Sequence, residues 1–293
     1  MKHIKLGIIG LSKGNGHPYS WSAIFNGYNP KYMKDCGFPV IPDYLSKQTF
    51  PKDCIKDANV THIWTQDKNI STHVANASNI ETVVDNMTDL IGNVDAILLA
   101  RDDYQMHYEM AKPFLEAGLP IYIDKPLAIS MDEFNKIYSL EKYAGQIFTC
   151  SGLAYAPEVQ KKDIGEIKYI DACVIKDWEK YAIHVIEPTL KLFDYNSKII
   201  NCTVNDFNHF KTVILNWENG ITTTYKTLYD LPCGFKINVF GTKGNQEIIF
   251  KDTFNAFKNA LSEFISIIRK EKENNSKIIT QKAIEIIEKG NND

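Results

Sequence analysis

The chain has 293 residues, 44% hydrophobic and 24% charged, the profile of an ordinary soluble globular protein long enough for two domains. A formal net charge of −3 speaks against the basic face of a nucleic-acid binder, and no apolar run approaches the ~20 residues that cross a bilayer. Six scattered cysteines without a C-x-x-C, and seven histidines without an H-x-x-x-H, give neither a disulfide scaffold nor a structural metal site, so no metal is expected.

Lys2, His3 and Lys5 precede "LGIIGL" in a faint imitation of a signal peptide, but "SKGNGHP" follows where a small-residue cleavage site belongs. The stretch therefore reads as a first strand, and the expected location is the cytoplasm. Further short apolar runs follow at 60–67, 94–100, 119–124 and 145–150, nearly continuous as in strands covered on both faces. Helical patterns lie between them, including one opened by a Ser130/Glu133 capping box and closed by Gly145. This alternation predicts a doubly wound parallel sheet over residues 1–150.

The first strand runs into "GLSKGNGHP", a Gly-rich turn with Pro18 at the entry of a helix. Small residues there let backbone N–H groups approach a pyrophosphate, and a helix N-terminus adds partial positive charge. The match to G-x-G-x-x-G is imperfect: from Gly10, Ser12 and Asn15 stand in the second and third positions, with Gly14 and Gly16 to either side of the latter. An acid closing the second strand would bind the adenosine ribose. Asp67 has that context, whereas Asp35 and Asp43 lie in a stretch broken by prolines. Choosing Asp67 implies an ordered insertion of about thirty residues, 28–59, between the first helix and the second strand. The competing reading of Asp67 is a solvated acid or helix N-cap.

Beyond residue 150 the pattern turns antiparallel. Val213, Leu215 and Trp217 alternate up to Asn219-Gly220, and Ile221, Thr223 and Tyr225 alternate after it, a strong hairpin signal. A second hairpin is expected to turn through Gly241 to Asn245, and 164–178 to supply a further strand. Phe254, Phe257, Leu261, Phe264-Ile265 and Ile268 form a packing stripe on a helix, and a last helix is expected over 280–289 with Gly290 as its stop. The second domain, 151–293, is thus an α+β domain with an open, mostly antiparallel sheet and helices on one side.

"VDAILLARDDYQMHYEMAKPFLEAGLPIYIDKPLA" resembles the Gfo/Idh/MocA family of pyridine-nucleotide oxidoreductases, in which the last strand of the nucleotide half ends in Glu-Lys-Pro. Asp124-Lys125-Pro126 matches that ending with one methylene fewer on the acid. The resemblance extends to "DKNISTHVANASNI" and "INVFGTKGNQEIIF". It implies an NAD or NADP cofactor, held by Gly10, Ser12, Gly14, Asn15, Gly16, His17, Asp67, Ala100, Arg101, Asp102, His107, Asp124 and Lys125. NAD is favoured, because the Asp67 charge would repel a 2′-phosphate.

The resemblance also makes Lys125 a catalytic-site lysine and matches the family's second catalytic element to His184 and Glu187 in "KYAIHVIEPTL". Lys180 stands where the family has an Asp, four residues before His184. An ammonium there favours a neutral imidazole and suggests an anionic group on the substrate. Pro188 is expected to delay the helix start to about Glu187. Tyr155, Trp178, Tyr181 and Glu187 are the candidate substrate contacts. The expected reaction is hydride transfer at a secondary carbinol of a sugar, cyclitol or nucleotide sugar. Lys125 and His184 would converge on it in a homo-oligomer built through the second-domain sheet. The alternatives are a non-catalytic NAD(P)-binding regulator and an NAD-using lyase or glycosidase of the same family.

Overall fold

The computed structural model describes residues 3–291, and the chain divides into two compact units. The first takes residues up to 127, with 135–149 and 260–277; the second takes 128–134, 150–259 and 278 onward.

In the first unit β1 (Ile4–Ile9) leads through the Gly-rich turn into α1 (His17–Asn26). Two short helices follow, α2 (Pro30–Met33) and α3 (Val40–Leu45), then β2 (Ala58–Trp64), α4 (Lys68–Ala77) and β3 (Thr82–Val83). β4 (Ala96–Leu99), α5 (His107–Glu116), β5 (Ile121–Ile123), α6 (Met131–Tyr138) and β6 (Ile147–Phe148) complete the alternation. All six strands are parallel, in the order β3-β2-β1-β4-β5-β6. This is a doubly wound sheet whose winding reverses between β1 and β4. Leu6, Ile8, Ile9, Ile97, Leu98, Leu99, Ile121 and Ile123 are fully buried, which is why their strands read as unbroken apolar runs. The capping box forms at α6, with Ser130 Oγ accepting Glu133 N–H and Glu133 reaching back to Ile129 N–H.

The insertion is ordered and has a use. Phe38 and Ile41 pack on the Gly-rich turn so closely that a Cβ on Gly16 would lie 2.6 Å from Ile41 Cδ1 and 2.7 Å from the Phe38 ring. At Gly10 an added Cβ would run into the Pro18 ring. These two glycines are demanded by close approach.

The second unit carries β7 (Ile167–Val174), α7 (Trp178–Tyr181), α8 (Ile183–Leu190), β8 (Ile199–Phe207), β9 (Phe210–Trp217), β10 (Thr222–Thr227), β11 (Lys236–Gly241) and β12 (Gly244–Ile249). Its sheet runs β12-β11-β7-β10-β9-β8, antiparallel except for the β7–β10 pair. Asn216 pairs with Thr222 across the Asn219-Gly220 turn, where Gly220 has φ +82. One face of the sheet is core, with Ile170, Ala172, Val174, Val213, Leu215 and Trp217 buried in one cluster with Ile183, Ile186 and Leu190 of α8. α9 (Thr253–Ile268) and α10 (Ser276–Asn291) follow, each divided between the two units.

Several details depart from expectation, among them α6, which stops at Tyr138 and not at Gly145. α8 starts at Ile183, not near Glu187, and contains Pro188, which costs only the one N–H that the His184 carbonyl would otherwise receive. α10 starts a turn before residue 280, where Asn274 accepts Ser276 N–H. Gly290 lies inside α10 and not beyond its end, and a Cβ there would strike the Trp178 indole, so the position takes glycine for close approach.

Candidate functional site

In the first unit, β1, β4 and β5 deliver Gly10, Ala100 and Asp124 to one end of the sheet, where Ala100 N–H bonds Ile9 O and Asp124 N–H bonds Leu99 O. Asp124 is 1% exposed, yet its carboxylate takes Asn15 Nδ2 at 2.7 Å, His17 Nδ1 at 2.6 Å and Lys125 N–H at 2.8 Å. Burial opposes that charge, but His17, Lys125 and Asn15 outweigh it and hold the carboxyl well below the usual range. Asp124 thus ties the Gly-rich turn to the tip of β5. Ser12 Oγ donates to Asp102 Oδ1 at 2.7 Å, and Lys125 Nζ lies 3.8 Å from Asp102 Oδ2. Lys125 is 5% exposed, so its ammonium is held among acids at the strand end.

Arg101 is bound to Asp103 and to Gln66 Oε1, and Gln66 also grips the Leu11 N–H and carbonyl. His107, expected at the cofactor, is fully buried with its ring nitrogens on the Leu127 and Arg101 carbonyls, so it braces the turn after β4. Asp67 is exposed and caps α4 through Asn69 N–H at 2.8 Å. The helix-cap reading is therefore realised, and a cap of this kind leaves the second carboxylate oxygen for other donors.

The residues fit a dinucleotide. Gly14 has φ +83 with nothing within 4 Å of where a Cβ would sit, so the tip of the turn is open. Lys13 and Gly14 are exposed there, and Asp67 is exposed beyond the end of β2. Gly16 offers no side-chain cap to α1, whose first N–H is taken by Asn15 Oδ1 at 2.8 Å. The exposed turn backbone, and not the helix end, is what remains for phosphate.

In the second unit, His184 is half-buried on α8 between Tyr181 and Phe235, ring centroids 5.6 and 5.5 Å away. Its Nδ1 lies 2.8 Å from Ser151 Oγ. Ser151 is fully buried, and its N–H donates to Glu187 Oε2. Glu187, expected to touch substrate, is 2% exposed and turned to this serine instead. Burial pushes its carboxyl up to about 7, against the pull of the Ser151 N–H and of Lys191. Trp178 is likewise a correction: it is buried, with its indole N–H on Ile287 O. Tyr155 and Tyr181 stay half-exposed, with Lys191 Nζ 3.6 Å and Lys176 Nζ 4.3 Å from their ring centroids. Lys180 is half-exposed in α7, where its N–H bonds the cap Asp177 at 2.8 Å.

The family model described as "Oxidoreductase family, NAD-binding Rossmann fold" matches residues 42–151, from the insertion through β6. Residues 42–151 are thus similar to the NAD-binding part of the Gfo/Idh/MocA oxidoreductases. Among solved structures, myo-inositol 2-dehydrogenase from Lactobacillus plantarum is similar at TM-score 0.76 and 17% identity, over 99% of this chain and 98% of that one. The scyllo-inositol dehydrogenase of Lactobacillus casei with bound NAD(H) and scyllo-inositol gives 0.74 at 13% identity, over 98% and 95%. UDP-N-acetylglucosamine 3-dehydrogenase from Acidithiobacillus ferrooxidans gives 0.73 at 12%, over 99% and 97%. At these identities the likeness is one of fold. No curated protein matches by sequence.

The sequence does not single out Gln66, which bridges Arg101 and Leu11, or Ser151, which lies on His184 Nδ1, since each is a polar residue just past a strand, where turns are polar anyway.

Proposed function

We propose that the protein is an NAD(P)-dependent dehydrogenase that moves a hydride between a nicotinamide and a secondary alcohol or ketone of a sugar, cyclitol or nucleotide sugar. The supporting observation is Lys125, 5% exposed and 3.8 Å from Asp102 at the end of the parallel sheet where such folds take their ligands. The turn at Lys13-Gly14 would hold the pyrophosphate and Asp67 the ribose hydroxyls. When bound, the nicotinamide supplies the hydride-accepting carbon. Lys125 donates a hydrogen bond to the substrate oxygen and favours its developing negative charge. His184 takes the hydroxyl proton at Nε2, as its Nδ1 is already engaged.

The substrate carries an acidic group. Lys180 precedes Tyr181, the ring that packs on His184, and Lys176 Nζ lies 4.3 Å from the centroid of that ring, so cations are on hand for an anionic substituent. Lys180→Ala should therefore cost more turnover on uronates or nucleotide sugars than on inositols. The exposed acid Asp67 biases the site to NAD over NADP by repelling a 2′-phosphate. Six free cysteines suit a reducing compartment, in keeping with a cytoplasmic enzyme.

The test is a panel of inositols, uronates and UDP-sugars with NAD and NADP, following NADH absorbance, with Lys125→Met and His184→Gln in parallel. Either substitution should lower kcat/KM by about 10²–10⁴-fold while NADH still binds. A chain that binds neither nucleotide, or variants that turn over as fast as the parent, would end this reading.

A further inference from the structure

Resting on the dehydrogenase reading, a question remains about how His184 is aimed. The family resemblance places an Asp four residues before this histidine, and here that position is Lys180. A lysine has donors only and cannot receive an imidazole N–H. Something else has to fix which ring nitrogen carries the proton.

Ser151 is in place to do so. It follows β6, is fully buried, and its hydroxyl oxygen is 2.8 Å from His184 Nδ1. Glu187 is three residues beyond His184 on α8, hence on the same helical face, and its Oε2 receives Ser151 N–H. The serine is therefore gripped by its backbone and presents its side chain to the ring. Tyr181 and Phe235 pack on the imidazole at 60° and 90°, which leaves it little freedom to turn away. Among the charged groups near this cluster, Lys191 acts on Glu187 and Lys176 lies over the Tyr181 ring, while Asp177, Glu179 and Lys180 belong to the short helix that carries Tyr181.

We propose that Ser151, held by Glu187, is the positioning residue of His184: its hydroxyl oxygen accepts the Nδ1 proton and so keeps Nε2 as the proton acceptor. A hydroxyl rotates to serve as donor or acceptor, so the assignment has a real alternative. If Ser151 donated to Nδ1, Nε2 would carry the proton and His184 would be an acid in its neutral form. The proton-accepting role demands the first arrangement. A neutral serine also differs from the family's Asp in adding no negative charge beside the ring, so His184 receives orientation without added basicity.

The experiment is nitrogen NMR on the full-length protein with ¹⁵N-imidazole histidine, recorded at about pH 8, above the ordinary imidazole titration. His184→Gln assigns the signals. The parent should show His184 mainly as the Nδ1–H tautomer. Ser151→Ala should shift the tautomer ratio toward Nε2–H by about fivefold, the value of one ordinary hydrogen bond. Ser151→Thr, which keeps the hydroxyl, should restore it. If the alanine chain does not fold, Ser151→Cys makes the same comparison, since a thiol is a weak acceptor. A parent in the Nε2–H form, or an alanine or cysteine spectrum identical to the parent, would overturn the assignment. A serine that merely docks α8 would leave the tautomer unmoved. The measurement needs no substrate, so it separates the two ideas: the expected tautomer shift with no turnover of any sugar would sink the dehydrogenase reading and leave the positioning role standing.

Discussion

Two buried carboxylates a short distance beyond their strands or helix starts have opposite fates, and the difference lies in their partners. Asp124 meets His17, Asn15 and the Lys125 N–H, and its carboxyl is held low; Glu187 meets one N–H and a more distant Lys191, and burial lifts it to about 7. Below an ordinary carboxyl pKa of about 4 both groups are protonated in the unfolded chain, and the signs then separate. Glu187 binds its proton more tightly when folded, so its contribution to stability falls as pH rises from about 4.5 to about 7, a loss of about 3 kcal/mol. Glu187→Gln removes that loss: urea unfolding across this window should show a flatter dependence, and an unchanged slope would show the acid ionising freely. Asp124 contributes stability that is present above about pH 4 and lost as pH falls toward its depressed value. Asp124→Asn should cost about 3 kcal/mol at neutral pH, with the deficit shrinking in acid. The sequence singles out Lys125 and His184 because each sits in an ordered string of neighbours. It could not show which way Glu187 points, since i+3 spacing gives a shared face with His184 but not whether that face meets solvent or Ser151.

At the scale of elements, the parallel sheet and the Asn-Gly hairpin were legible because burial on two faces and alternation on one leave different periodicities. β8 and the two-residue β3 were not: β8 is a largely exposed edge with no apolar rhythm, and β3 is too short to have one. The insertion was visible only as a gap between α1 and β2. Its packing could not be read, because the contact of Phe38 and Ile41 with Gly16 joins residues far apart in chain and unmarked by any motif. That contact makes a prediction. Gly16→Ala puts a Cβ 2.6 Å from Ile41 Cδ1 and 2.7 Å from Phe38, so the insertion or the turn must move. Overpacking of this sort costs about 1–3 kcal/mol. NADH affinity should fall along with the urea midpoint, and Gly16→Ala combined with Ile41→Val should recover part of both. A Gly16→Ala protein with parental NADH affinity would show that the insertion supports folding without shaping the nucleotide turn.

At the scale of the whole molecule, the second unit's sheet has two unequal faces. One is filled by the buried residues of β7, β9 and β11 with α8, while the other carries Tyr169 stacked on Phe240 at 5.8 Å between centroids. The same face pairs Lys226 with Asp171 and Lys236 with Glu247, so it displays both signs together. A surface that carries exposed aromatic rings beside charges of both signs can meet its own copy under a two-fold rotation, where each patch faces itself. Our expectation of a homo-oligomer through this sheet rests on that match. Light scattering on the purified chain should then give at least twice the 33.4 kDa of one chain. Tyr169→Glu with Phe240→Lys replaces the exposed aromatic pair by charges, which interfaces avoid in their cores. Both side chains are already exposed, 36% and 42%, so the monomer has little packing to lose. The double variant should run as a monomer with the parent's circular dichroism. A parent that is monomeric at micromolar concentration, or a variant that keeps the parent's mass, would remove this sheet from the assembly and turn the stacked pair into an isolated surface feature.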